Sequence, residues 1–330
     1  MKKKLSIWEP IAQGVPSEDF IKILSKHFTH CLENNIDIVL DFFPEGPNLY
    51  ENNIWGLIQN VCNSFDVDTS NIQIEICDFN ADYPCKVIKR QPYWFNALYK
   101  FPDLFDHTIN PKIEKLFGHF VGRPSWDRLV LHSTIKQTNN SLFTFWQGKD
   151  KPASYQKTLQ NIQKLYPNDY EKYKKILDAT PHSNIKMKPV YKDFTTFPRN
   201  VYPLKPYYQK IFVDIVSETF IYDRTCFITE KTARPIVFRT PFIIMGGLGF
   251  LKILKELGFK TFDKWWPEEY DNYSGQERVK QIQQVIKLIQ AKDNIEQIKN
   301  EMLPVVEHNY KHLMSRSWNQ FAKKLGLNHV

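Results

Sequence analysis

The chain has no apolar run approaching the ~20 residues needed to span a bilayer. Its five cysteines (Cys31, Cys62, Cys77, Cys85 and Cys226) form no C-x-x-C pair, and no Cys/His group has zinc spacing. No Lys-Ser/Thr follows Gly246-Gly247-Leu248-Gly249, so there is no Walker loop. A zinc finger, an RNA-binding aromatic motif, internal repeats and low-complexity tracts are also missing. These absences argue against a membrane-spanning helix, a disulfide-framed scaffold, a zinc module and a repeat array. Several of the cysteines lie in apolar runs, and they read as buried thiols of a reducing compartment. The opening stretch lacks a signal-peptide core, because Glu9 and Pro10 interrupt it. A cytoplasmic protein without a membrane anchor is expected.

What is present suits a globular protein with room for two domains. The chain has 330 residues, 42% hydrophobic and 24% charged. Aromatics make up 15%. They fit large cores as well as the aromatic faces of sugar-handling clefts. The net charge is +8, and between 276 and 330 nine Lys and Arg stand against five Asp and Glu, half of that excess. A basic surface suits an anionic donor, an anionic polymer or an anionic membrane, and it also describes a solvated helical face.

Hydrophobic periodicity alternates between strand and helix. Strands are predicted over 5–8, 36–43 and 72–77, with helices over 18–32 and 53–64. A second series begins with a strand at 117–121 and a helix from Trp126. It continues with a strand at 142–146, helical pieces over 155–177 broken at Pro167, and a long Pro- and aromatic-rich loop at 188–207. Strands follow at 210–216 and 241–245, then a helix at 250–257. The last 55 residues are helical, with Ile282, Val285, Ile286 and Ile289 on one stripe. Strand–helix–strand repetition predicts an α/β fold with parallel sheets. The expected division is 1–115, 116–305 and a C-terminal helix at 306–330.

The segment from Phe227 to Gly247 carries the most chemistry. It reads as a strand end, a short helix opened by Thr229-Glu230-Lys231, and a buried strand closing on glycines. A carboxylate, an ammonium and free helix N–H groups then share one sheet edge. A sugar nucleotide needs that combination: an acceptor for its hydroxyls and a cationic edge for its diphosphate. An ordinary βαβ turn, with Thr229 as a cap and solvated charges, is the plainer reading.

The longer pattern is Thr229-Glu230-Lys231, four residues, Ile236, four residues, Pro241-Phe242-Ile243-Ile244 and Gly246. It resembles the donor-binding motif of fucosyltransferases and exostosin-like glycosyltransferases. The resemblance covers about 30 residues closely and 117–271 loosely. It implies the GT-B fold, two Rossmann-like domains facing a cleft, with the final helix (315–325) returning to the first domain. It implies a hexosyl- or pentosyltransferase moving a sugar from a nucleotide-activated donor to a hydroxyl acceptor, a glycan first, with inversion. Glu230 and Lys231 inherit donor contacts. Phe227 stands where the family often has an aromatic, and Pro235 stands where it has an ordinary helical residue. Proline there removes one hydrogen bond and kinks the helix.

Transfer needs positive charge on the leaving diphosphate and a base on the acceptor. Arg123, in Phe120-Val121-Gly122-Arg123, follows a strand as in exostosin-like enzymes, and Arg128 lies five residues on. Both are candidates for the diphosphate; for Arg123 a surface salt bridge to Asp127 is the alternative. Lys136 and Arg224 are weaker candidates. Glu218 ends a strand twelve residues before Glu230 and either holds ligand hydroxyls or is a local cap. Gly246 either approaches the ligand or makes a tight turn. The base is expected from the first domain: Glu45 in a rigid Pro-flanked turn, then Asp78 at the next strand's end, with His119 and His132 as alternatives. Asp66-Val67-Asp68 has the letters of a metal-binding Asp-x-Asp. It precedes a strand in a polar stretch and reads as a turn. Metal-independent donor binding without a cofactor is therefore expected. Trp265-Trp266 through Asp271 either lines the acceptor side or locks the last helices onto the sheet. Two further readings stay open: an acceptor that is a hydroxylated DNA base, and a non-catalytic sugar-nucleotide binder.

Overall fold

The computed structural model describes residues 5–6, 16–43, 46–98, 112–145, 152–179, 183–185, 204–221 and 225–328. The chain divides into two units. The first comprises Met1–Tyr93, Arg224–Ile228 and Asn319–Val330, the second Trp94–Asp223 and Thr229–Trp318.

The first unit is built from β1 (Leu5–Ser6), α1 (Phe20–Glu33), β2 (Val39–Asp41), α2 (Ile54–Ser64), β3 (Gln73–Ile76) and β4 (Lys86–Lys89). Its sheet runs β1-β2-β3-β4 with every pair parallel. Phe20, Leu24, Phe28 and Cys31 fall on one face of α1 and are buried; Ile54, Ile58, Val61 and Cys62 do the same on α2. They close over Leu40, Ile74 and Ile76 in a single core. The strand predicted over 36–43 is shorter. Bonds from Gln73 N to the Ile38 carbonyl and from Phe42 N to the Glu75 carbonyl add one step beyond each end of β2. Asp68 caps the turn before β3 by accepting from Ser70 N at 2.8 Å, as a turn residue would.

The second unit contains α3 (Tyr93–Leu98), whose first residue belongs to the first unit, then β5 (Lys115–Phe120), α4 (Trp126–Gln137), β6 (Ser141–Thr144), α5 (Pro152–Leu165) and α6 (Tyr170–Ala179). It continues with α7 (Lys205–Tyr208), β7 (Ile211–Ser217), α8 (Glu230–Val237), β8 (Phe242–Met245), α9 (Phe250–Glu256), α10 (Gly275–Gln290) and α11 (Ile295–Met314). The sheet order is β6-β5-β7-β8, all parallel. All of β7 and β8 is buried, as a parallel sheet covered on both faces requires. The α10 stripe of Val279, Ile282, Val285, Ile286 and Ile289 is buried, and Gln283 on α10 bonds Thr134 of α4. Trp266 packs on Phe262 and on Phe212 of β7, while Trp265 donates to Glu301 of α11. That aromatic patch locks the late helices. The chain ends with α12 (Trp318–Lys324), and Asn328 then bridges in parallel to Arg90 beside β4.

The protein is thus mixed α/β with two parallel sheets. Among the described residues no helix is long and apolar enough to cross a membrane. None of the five cysteines is in a disulfide.

Candidate functional site

In the second sheet the chain leaves β5 for β6 on one side, then returns to β7 on the other. The connections after β5 and β7 therefore leave in opposite directions, which makes their carboxyl ends a topological switch point. Open α/β sheets bind ligands at such switch points. The loop from Val121 to Arg123, the Ser217-Glu218-Thr219 turn and the start of α8 all follow strands of this edge.

Glu218 organises the edge. It is 1% exposed. Its Oε1 accepts from Thr229 N at 3.2 Å and Thr232 Oγ1 at 2.6 Å, and its Oε2 from Thr229 Oγ1 at 2.5 Å. Of the two readings for Glu218, the structure has the local one: its carboxylate fastens the first turn of α8 to the end of β7. Thr229 is the N-cap, and its hydroxyl oxygen accepts from Lys231 N at 3.1 Å.

Glu230 and Lys231 stand on that fastened turn, each with a side chain 15% exposed, paired at 3.5 Å. The Lys231 ammonium also donates to Thr219 Oγ1 at 3.0 Å and Thr229 Oγ1 at 3.2 Å. Burial pushes the Glu230 carboxyl upward, but Lys231, Arg234 and a backbone N–H outweigh it and hold the group below its ordinary value. The pair is a preformed cation–anion edge.

Arg128, expected at a diphosphate, donates to three backbone carbonyls: Arg123 at 2.9 Å, Ser217 at 3.3 Å and Glu218 at 3.0 Å. It straps the ends of β5 and β7 together. Arg123 is half-buried in the loop that Arg128 holds. Asp127, its proposed partner, is buried at the start of α4, and burial raises its carboxyl above the ordinary range.

Gly246 has a packing reason to be glycine. A Cβ there would lie 2.6 Å from the ring of Phe250. The start of α9 just beyond is already occupied by an internal anion. Asp271 accepts from Leu251 N at 3.0 Å and Lys252 N at 3.2 Å. Buried Arg278 locks the loop by donating to Asp271 Oδ1 at 2.9 Å, the Gly247 carbonyl at 2.8 Å and the Ile244 carbonyl at 3.1 Å. The glycine-rich turn is therefore a closed clamp.

Beneath α8 lies a cluster the sequence reading did not single out. Arg234 is buried and donates through Nη2 to the carbonyl of Phe120, the last residue of β5, at 3.0 Å. Tyr208 donates to Asp214 Oδ2 at 2.5 Å. Burial pushes Asp214 up to about 6 against the opposing pull of Arg234 and Tyr208. The available signal was the i, i+4 spacing of Glu230 and Arg234 on one short helix.

His119 and His132 are core residues. Burial drives His132 down to about 3 and His119 well below its ordinary value, and both stay neutral near pH 7. His119 Nε2 lies 3.3 Å from Ser217 Oγ, and His132 packs on Phe143 and Phe145. Among the described residues no group of three or more His, Cys, Asp or Glu is placed to hold a metal ion.

In the first unit, Glu45 lies outside the described residues. Asp78 follows β3, is buried, and accepts through Oδ1 from Asn80 N at 3.0 Å and Cys226 N at 2.9 Å. Burial raises it to about 6, with the two N–H groups and Lys89 pulling the other way. A Cβ on Gly46 would meet the Phe227 ring at 2.9 Å and the Cys77–Asp78 backbone at 3.0 Å, so the loops after β2 and β3 pack on segment 225–228.

The raised Asp78 carboxyl has a stability consequence. Between an ordinary carboxylate value near 4 and about 6 the folded protein binds the extra proton. Stability from this group is therefore fully present below that window and lost as pH rises through it. Asp78→Asn keeps an acceptor for both N–H groups and removes the buried charge. It is expected to flatten the stability slope of the first unit between about pH 4 and 6. It should also add on the order of 2 kcal/mol at pH 7. Urea denaturation across pH reads this, and an unchanged slope would reject the assignment.

No protein-family model matches this chain, and no curated protein matches it.

Proposed function

We propose that the protein is a glycosyltransferase of the GT-B kind, with two Rossmann-like domains about a cleft. It moves a sugar from a nucleotide-activated donor to a hydroxyl acceptor, a glycan first, with inversion and without a metal. The single observation that carries this reading is the Glu230–Lys231 pair on a helix turn fastened by Glu218 beside the β5/β7 switch point. The likeness of the Thr229-Glu230-Lys231 stretch to donor motifs supports the same reading.

In this scheme Glu230 accepts hydroxyls of the donor, and Lys231 and Arg123 face its diphosphate. The acceptor oxygen attacks the anomeric carbon as the bond from that carbon to the diphosphate oxygen breaks. The leaving oxygens gain negative charge, which the two cations offset. An acid of the first unit takes the acceptor proton. Glu45 is the first candidate for that acid and Asp78 the second.

A thermal-shift screen of UDP-glucose, GDP-mannose and GDP-fucose tests the donor. A ligand at a hundredfold its Kd adds about 2.7 kcal/mol of stability. Slow release of nucleoside diphosphate from the bound donor would mark an enzyme and not a binder. A chain that none of the sugar nucleotides or their diphosphates stabilises does not have this function.

A further inference from the structure

Arg234 presents a problem that stability does not solve. A buried guanidinium loses hydration, and replacing such groups by apolar ones is often neutral or stabilising. Here Nη2 reaches the Phe120 carbonyl, while Nε is buried and meets no acceptor. The residue stands one helical turn after Glu230, on the same face of α8. Its charge acts on Glu230, on Asp214 of β7, on Glu218 just beyond that strand, and on Tyr208 of α7.

We propose that Arg234 is a positioning residue of the donor site: its guanidinium ties α8 to the last carbonyl of β5 and supplies, from beneath, the positive charge against which Glu230 presents its carboxylate. This deepens the donor-site reading above and rests on it for what Glu230 touches. Glu230 is sunk far enough into the protein that burial alone would favour its neutral acid. A neutral acid is a poorer acceptor for a sugar or ribose hydroxyl. Lys231 is the larger of the two opposing charges, but its ammonium also donates to Thr219 and Thr229, and Arg234 adds a second cation fixed within the fold. A buried cation has no such competition from solvent and does not reorient when a ligand arrives.

The groups facing Glu230 are Lys231 and Arg234 on its own helix and Tyr208 on α7; Asp214 on β7 acts on Arg234, and Glu218 just after β7 acts on Arg234 and Lys231. Asp214 is raised to about 6, so it is already protonated where Glu230 titrates and does not confuse the measurement.

The test follows the carboxyl carbon of Glu230 by NMR in the full ligand-free chain, from about pH 3 to about pH 7. The signal is assigned by its loss in Glu230→Gln. Arg234→Gln is expected to move the midpoint upward, and Arg234→Lys to restore most of the wild-type position. Should Arg234→Gln not fold, Lys231→Ala decides. With Lys231 gone, a midpoint still below the ordinary carboxylate value shows that Arg234 supplies the charge; a return to that value or above overturns the proposal. An unmoved midpoint in folded Arg234→Gln overturns it equally. Thermal shift with UDP-glucose, GDP-mannose and GDP-fucose is run on the same samples. Failure of all three to bind wild type removes the donor reading, whereas the titration judges Arg234 independently. If one binds, its affinity for Arg234→Gln should fall below that for wild type at a pH where only wild type is ionised.

Discussion

Glu218→Ala is expected to destabilise the second unit by about 3–5 kcal/mol, the largest loss among single substitutions at this site. The carboxylate is 1% exposed and accepts from Thr229 N, Thr229 Oγ1 and Thr232 Oγ1. Truncation removes three acceptor contacts at once and leaves a buried N–H without a partner. The Lys231 ammonium, 3.9 Å from Oε2, also loses a neutralising charge. The loss should concentrate at the first turn of α8. Hydrogen exchange at Thr229 and Lys231 should therefore accelerate more than at β7. Glu218→Gln keeps one acceptor oxygen, and the threonine hydroxyls can turn to accept from its amide. Its cost should be roughly half or less, consistent with net values near 1 kcal/mol for neutral hydrogen bonds. Equal urea midpoints for wild type and Glu218→Ala would mean that Glu218 does not hold the turn.

How far this site could be read beforehand depended on how local each feature is. Helix α1 follows from Phe20, Leu24, Phe28 and Cys31, and the break between α5 and α6 from Pro167; both are facts of neighbouring residues. The strands β7 and β8 follow from continuous apolar runs. By contrast, β4 is a short Lys-flanked strand that only its pairing with β3 makes a strand. The order β6-β5-β7-β8, which creates the switch point, is set by long-range pairing and is invisible to periodicity. Arg128 and Glu218 had the right residue types for a ligand site. Their partners proved to be carbonyls and threonines brought in by the fold. Pro235 was expected to kink α8. Pro235 stands inside the helix, which runs on to Val237; its missing N–H takes a helical partner from the Lys231 carbonyl, and Arg239 follows in the left-handed region at φ 52°.

Lys231→Ala and Glu230→Gln are expected to separate the two halves of donor handling. Charge on the leaving diphosphate grows as the sugar–oxygen bond stretches, so a cation facing it acts more strongly on the transition state than on the bound donor. Lys231→Ala should therefore lower transfer by about 10²–10³ while weakening donor binding much less, the usual signature of a lost electrostatic group. In the proposed scheme Glu230 accepts from hydroxyls that do not change charge in the reaction. Glu230→Gln should then weaken donor binding by about 1.5–3 kcal/mol, the worth of a hydrogen bond to a charged group, with a smaller effect on turnover. Neither change should unfold the protein, because the carboxylate that fastens the turn is Glu218 and not Glu230. The measurement is single-turnover transfer beside calorimetric titration of whichever sugar nucleotide binds. Affinity and rate unchanged in both variants would leave the turn a well-capped helix start and nothing more. The reverse split, binding lost with Lys231 and rate lost with Glu230, would instead place Glu230 at the reacting carbon.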